Sequence, residues 1–348
     1  MPLTNANRHL LVGLVLALSC SSSLALARET LRVLTWPGYA DSDLVAIFEK
    51  RYDVTVEVTF VSTDDVLWEK INAHEGADFD VFAANTAEQT RYIDRGLSLP
   101  LDISNIPNTR HQLPRFSDLK SIPGISREGK VYAIPYTYAE MGLIYDRKQV
   151  KEPPTSMAAM WDPRYKGRVL AYNGSSHNFT IVALLLGSKT PFQIKDREFK
   201  RIVDRLIALR RNVLTFYSQP EESIELFREN SAALMFANYG TQQVEQLRKA
   251  GADIGYVIPK EGALAWLDCW AITRGVRNKR LAEQWIDYTL EKNVSSALTK
   301  RQGLANTVEP ATSADSSSQL IWLQPVEDFN LRTSLWDRII SGDRPEKF

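Results

Sequence analysis

An indole and a phenol stand three positions apart in Trp36-Pro37-Gly38-Tyr39, and an indole and a carboxylate two apart in Trp266-Leu267-Asp268. An aromatic face attracts an ammonium group, and a carboxylate beside it supplies charge and hydrogen-bond acceptors. Any one of these rings serves equally well as packing for a core. An aromatic pair beside a turn, together with a Trp-x-Asp elsewhere, reads as an aromatic cage for an amine. Catalytic groupings are missing. The histidines after residue 27 are His74, His111 and His177, without metal-ligand spacing, and the chain has no HExxH, CxxC, GxSxG, Walker loop or GxGxxG. Ser175-Ser176-His177 could pair a nucleophile with a base, but adjacent side chains at a helix start diverge and no third group orients them. The expectation is a binding protein, not an enzyme, with no metal or cofactor.

Those side chains need elements to hold them. Leu31 to Trp36 is a short apolar run suited to a buried strand, turned by Pro37-Gly38. Asp41 or Ser42 can then cap a helix with Leu44, Ile47 and Phe48 on one face. Val54, Val56, Val58 and Phe60 alternate with polar residues as a second strand. Thr63 and Asp64 offer the next cap, Leu67, Ile71 and His74 share a helical face, and residues 80–84 read as a third strand. The middle repeats the theme. Residues 167–172 form a strand, Asn173 to Ser176 open an apolar helix through Leu186, and Phe199, Ile202, Val203, Leu206 and Leu209 line an amphipathic helix. Residues 232–237 form another strand, which Asn238-Tyr239-Gly240-Thr241 turns into a helix. The fold class expected is α/β with two lobes, each a mainly parallel sheet flanked by helices, and a ligand cleft between them. In open parallel sheets ligands sit beyond the carboxyl ends of the strands. Pro135-Tyr136 and the stretch around Asp268 are the candidate crossing segments. The first lobe is expected over 28–136 and 269–303, the second over 137–268 and 304–348.

A chain of 348 residues suits two such lobes. Hydrophobic residues at 44% and charged residues at 24% match a soluble globular protein, and 42 basic against 42 acidic residues give no reason to expect nucleic acid or an anionic membrane as partner. Residues 1–27 read as a signal peptide: Arg8 and His9, an apolar run from Leu10 to Leu18 too short to span a bilayer, and Ala25-Leu26-Ala27 as the cleavage site. A lipid anchor at Cys20 is the less favoured alternative, since Ala17 stands where such sites usually carry Leu. The expected location is the periplasm. Cys269 is then the one remaining cysteine and reads as a small buried hydrophobe, because it has no partner for a disulfide.

The chain resembles the periplasmic spermidine/putrescine-binding proteins. The resemblance rests on Trp36-Pro37-Gly38-Tyr39, Phe79-Asp80-Val81, Tyr132-Ala133-Ile134-Pro135-Tyr136, residues 161–167, Ile258-Pro259-Lys260-Glu261-Gly262 running on to Trp266-Leu267-Asp268, and Arg277-Asn278-Lys279. It implies two hinged lobes closing on a ligand, with Trp36 and Tyr39 lining the cleft, Trp266 stacking on the ligand chain and Asp268 holding an ammonium. Asn85 falls where the family has a small polar cleft residue. It also implies delivery of a small amine or amino acid, by a monomer, to the membrane permease of an ABC transporter; a sensory role through a membrane receptor is the rival. Several positions depart from the family pattern. Gly38 stands where an acidic residue is usual, Gly174 and His177 where Asp and Glu are usual, Ala87 where a cleft aromatic is usual, and Asn238 where a Trp is usual. Gly174-Ser175-Ser176 should open a helix, where free N–H groups favour an anion. Ser175 and Ser176 could therefore receive a carboxylate, which leaves two ligand classes open: a polyamine, or a zwitterionic ω-amino acid such as 4-aminobutyrate.

Overall fold

The structure is a computed structural model that describes residues 28–61, 63–310 and 320–348. The expected leader with Cys20 lies outside the described residues. The chain opens with β1 (Glu29–Thr35), α1 (Ser42–Tyr52), β2 (Val54–Phe60), α2 (Asp64–Ala73), β3 (Val81–Asn85) and α3 (Thr86–Asp94). Short pieces follow: β4 (Ser98–Leu99), α4 (Pro114–Ser117), β5 (Ser126–Arg127) and β6 (Lys130–Val131). The long β7 (Ala133–Asp146) leads to β8 (Val169–Tyr172), α5 (Ser175–Leu185), α6 (Asp196–Asn212), β9 (Thr215–Tyr217), α7 (Pro220–Glu229), β10 (Leu234–Ala237) and α8 (Thr241–Lys249). The remainder is β11 (Ile254–Val257), β12 (Ala263–Thr273), α9 (Lys279–Thr289), α10 (Lys292–Gln302), β13 (Ala305–Asn306), β14 (Leu320–Trp322) and α11 (Phe329–Ile340).

The main strand order is β2-β1-β3-β12-β7-β10-β8-β9. Both outer trios are parallel, β1 with β2 and β3, and β8 with β9 and β10. The two strands between them, β12 and β7, run antiparallel to each other and to their outer neighbours. Helical crossovers make the parallel trios, whereas β7 and β12 are joined through a long excursion that places them side by side in opposite directions. The result is a two-lobed α/β protein with a sheet in each lobe. β2 alternates buried and exposed residues at its start, as the edge of a sheet should, while β3 is buried along Val81 to Ala84 because strands flank it on both sides.

Separate cores lie under the two sheets. Val33, Phe48, Phe82, Trp270 and Trp285 centre the first, and Leu304 and Ala305 pack into it. Leu143, Phe179, Leu206, Phe236 and Trp336 centre the second. Each fully buried side chain of this kind contributes about 1.5–3 kcal/mol. Each lobe also carries a buried arginine paired with a carboxylate. In the first, Arg32 donates to Asp80 at 2.9 and 2.7 Å, and the Arg32 and Arg277 backbone N–H groups donate to the same carboxylate. In the second, Arg332 is fully buried, and its five donors reach Glu327 (2.7 and 2.6 Å), Thr180, and the carbonyls of Ser176 and Pro191. The donations of Arg332 to Thr180 and the Ser176 carbonyl tie α11 to α5, so the last helix packs back onto the second lobe.

Local details differ from the sequence expectation in one instructive place. Thr63 does cap α2, accepting from the Val66 N–H at 3.2 Å. Asp41 holds the cap position of α1 but makes no cap bond; it accepts instead from Arg301 at 2.8 Å, as Asp43 does. A guanidinium delivered by α10 outcompetes the local N–H. Among the described residues no helix is long and apolar enough to cross a membrane.

Candidate functional site

The carboxyl ends of the parallel strands in both lobes point toward the same region. From the first lobe come Trp36 and Tyr39, just after β1, and Asn85, at the end of β3. The Trp36 indole N–H donates to the Ala83 carbonyl at 3.1 Å, which lays the ring across β3. Gly38 has φ +87°, a backbone shape that side chains resist, and it turns the chain so that Tyr39 points inward. A Cβ at Gly38 would also fall 2.5 Å from the Gln302 side chain, which would have to shift to admit it. The Tyr39 ring rests edge-on against Tyr136 and Trp270, with centroids 5.4 and 6.4 Å away.

Tyr39 donates its hydroxyl hydrogen to Asp268 Oδ2 at 2.7 Å. Asp268 lies on β12 opposite Asn85 of β3 and Thr137 of β7, at a register shift between Asp268 and Cys269. It is 7% exposed and has no ion-pair partner among the described residues. Burial pushes its carboxyl up to about 7, while the Tyr39 hydrogen bond pulls the other way. Burial, and after it the Asp268 charge, lifts the Tyr39 phenol well above its ordinary value, so Tyr39 remains a donor. A carboxylate this enclosed, bonded on one oxygen by a neutral phenol, favours the approach of a cation.

Opposite stands the second lobe's set. Tyr172 ends β8 and Tyr217 ends β9, with ring centroids 5.7 Å apart, and Tyr239 packs edge-on to Tyr172 at 6.1 Å. His177 packs against the other side of Tyr172 at 5.2 Å, and loss of solvation pushes its pKa down to about 4, leaving the imidazole neutral. Burial, and after it the Asp64 charge, lifts the Tyr172 phenol to about 12. Asn238 follows β10; its N–H donates to the Tyr217 hydroxyl at 3.0 Å and its carbonyl accepts from the Trp266 indole N–H at 3.0 Å. Thr241 donates to the Gly303 carbonyl at 2.7 Å.

The structure thus joins Tyr39 to Asp268 directly and Trp266 to Asn238 directly, and places Asn85 beside Asp268 in the sheet. Asn85 also caps α3 through its Oδ1, and its amide donates to Asp64 at 3.2 and 3.4 Å. Ser175 and Ser176 do begin α5, after Gly174. The Ser175 hydroxyl bonds to Thr333 at 3.2 Å and the Ser176 carbonyl accepts from Arg332, so among the described residues neither bonds to the Tyr39–Asp268 group. Sequence reasoning passed over Asp64, Tyr172 and Tyr239. The two tyrosines were open to the strand-end rule that picked out Trp36, whereas Asp64 in a first helical turn reads as an ordinary dipole partner.

Comparison with known proteins agrees with this architecture. The family model described as Bacterial extracellular solute-binding protein matches residues 43–320. The Putrescine-binding periplasmic protein PotF of Escherichia coli (strain K12) is 27% identical, with 96% of this chain and 97% of that protein covered. Among solved structures, a Putative spermidine/putrescine ABC transporter from Listeria monocytogenes superposes with a TM-score of 0.76 at 21% identity, over 89% of this chain and 98% of that one. The Atu4243-GABA receptor superposes with a TM-score of 0.71 at 16% identity, over 91% and 99%.

Proposed function

This chain belongs to the family of bacterial extracellular solute-binding proteins, and from that premise we propose that it is the periplasmic receptor that carries an amine-bearing solute to the permease of an ABC transporter. The observation that carries the reading is Asp268: a carboxylate 7% exposed, without a basic partner among the described residues, with Tyr39 occupying one oxygen. An ammonium group supplies the missing countercharge, and a hydrogen bond between charged groups of this kind contributes about 1.5–3 kcal/mol. Trp36 and Trp266 offer the aromatic faces on which an alkyl chain and its cationic end rest. The putrescine-binding name of the Escherichia coli relative supports the same solute class.

A ligand reaching from Tyr39 and Asp268 to Asn238 touches both lobes, so it favours the closed form that a permease reads. A second reading, an ω-amino acid with its carboxylate at the start of α5, has one observation in its favour: Ser175 and Ser176 occupy the first helical positions there. Calorimetric titration of the purified protein with spermidine, 1,4-diaminobutane and 4-aminobutyrate tests the assignment. At least one amine should bind with micromolar or tighter affinity and raise the melting temperature, since a ligand that binds only the native state stabilises it. Absence of heat from all three removes the amine assignment.

A further inference from the structure

Strand β7 carries one residue more than its partner where it passes Asp268. Asp268 pairs with Thr137 and Cys269 with Pro135, so Tyr136 stands between them as the extra residue of a bulge. In an unbroken ladder Tyr136 would lie opposite Cys269 and point to the face that Asp268 does not share, because a slip of one residue reverses the side of the sheet. It packs instead on Trp270, which lies two residues beyond Asp268 and so on the same face, with ring centroids 5.4 Å apart. It also meets the Tyr39 ring at 5.4 Å. The phenol that reaches Asp268 at 2.7 Å is therefore backed by a ring that the bulge brings to this face.

Two side chains grip the bulge from the edge of β7 opposite β12. Gln112 donates from its Nε2 to the Pro135 carbonyl at 2.7 Å and to the Thr307 hydroxyl at 3.1 Å. That hydroxyl donates to the same Pro135 carbonyl at 3.0 Å, and the Thr307 N–H donates to the Tyr136 carbonyl at 3.2 Å. Gln112 and Thr307 are both buried, and the Gln112 Oε1 has no hydrogen-bond partner among the described residues. An apolar side chain of the same length would avoid the cost of that idle acceptor, so what the amide adds here is its hold on Pro135.

We propose that Gln112 and Thr307 are positioning residues for amine binding: by clamping the Pro135 carbonyl they hold the bulge that turns Tyr136 toward Tyr39 and keeps the Tyr39 hydroxyl on Asp268. This rests on the amine reading above and adds to it the groups that set its geometry from outside the cleft. Tyr39, Tyr136 and Cys269, the titratable groups around Asp268, are all raised by burial and stay neutral between pH 5 and 8. The Asp64 charge, reached through Asn85, is common to every variant below.

The test is calorimetric titration of 1,4-diaminobutane and spermidine, between pH 5 and 8, into the full-length protein and its variants, with melting temperatures recorded for each. The variants are Gln112→Met, Thr307→Val, Thr307→Ser, Tyr39→Phe, and Gln112→Met combined with Tyr39→Phe. For an amine that the wild type binds, Gln112→Met and Thr307→Val should each lose about fivefold in affinity. Both should also raise the pH at which affinity falls, because the Tyr39 hydrogen bond that draws the Asp268 carboxyl down is weakened. Thr307→Ser keeps the hydroxyl and should match the wild type in both respects. In the Tyr39→Phe background Gln112→Met should cost less than about twofold, since both changes act on one hydrogen bond. Should Gln112→Met fail to fold, the Thr307 pair carries the test. An unmoved pH midpoint in the folded variants, or a full fivefold loss on top of Tyr39→Phe, would overturn the positioning role while leaving the amine reading intact. If neither amine binds the wild type, the amine reading itself fails, and this role with it.

Discussion

The two ends of the cleft use the same device, aromatic side chains at the carboxyl ends of parallel strands, yet they differ in how they handle charge. The first-lobe end buries a carboxylate on a crossing strand and leaves it with a phenol for company. The second-lobe end is built of neutral groups: Tyr172, lifted to about 12, Tyr239, lifted further still, and a His177 held deprotonated with its pKa near 4. One end therefore stores an unfavourable desolvation that a ligand relieves, while the other offers shape and hydrogen-bond acceptors. Affinity and stability therefore pull in opposite directions at Asp268.

Asp268→Asn is the sharpest way to break that asymmetry. It keeps an acceptor for the Tyr39 hydroxyl and removes the charge. Amine affinity should fall at least a hundredfold, consistent with a charged partner worth roughly 2–5 kcal/mol. The ligand-free variant should meanwhile be more stable than the parent at pH 8, since ionising a carboxyl shifted from 3.8 to about 7 costs on the order of 4 kcal/mol. Chemical denaturation without ligand reads this out, and a destabilised variant would contradict the stored-cost account.

A change of pH probes the same contrast without mutation. The folded value of Asp268, about 7, lies above its ordinary 3.8, so between the two the native state binds a proton that the unfolded chain has released. This group therefore lowers the stability of the ligand-free protein as pH rises from about 4 to about 7, and the loss is complete above that. Amine binding runs the other way, because it needs the carboxylate: affinity should weaken toward tenfold per pH unit below about 7. Titrations at pH 5, 6, 7 and 8 check the sign, and a flat profile would place the cation elsewhere. Tyr39→Phe should have the smallest effect of the three. It deletes one hydrogen bond to the carboxylate, for which a fivefold to tenfold loss is expected, and it should move the midpoint of the pH profile upward.

Much of the first-lobe end was legible in the residues themselves. Trp36, Tyr39, Trp266 and Asp268 declare themselves because their types are rare together and sit beside turns. The second end was harder to read. Tyr172 and Tyr239 are single aromatics without an acid nearby in sequence, and Asp64 looks like any acidic residue in a first helical turn. What joins them is the apposition of two lobes, which no local pattern encodes. The same holds for the antiparallel pairing of β7 with β12, about 130 residues apart, and for Arg301, which takes Asp41 away from its expected cap. Arg332 sits on an amphipathic helix where a charge ordinarily marks the solvated face, and only the approach of Glu327 and Thr180 makes it a core residue.

Gly38 has a bearing on how this binding surface can diversify over generations. An acid placed there meets two obstacles at once, a left-handed backbone at φ +87° and the neighbouring Gln302 side chain. A single substitution meets both penalties before any new contact with a solute can form. The glutamine end can swing aside, so the lasting penalty is the backbone, which asks any side chain at 38 to adopt a left-handed conformation.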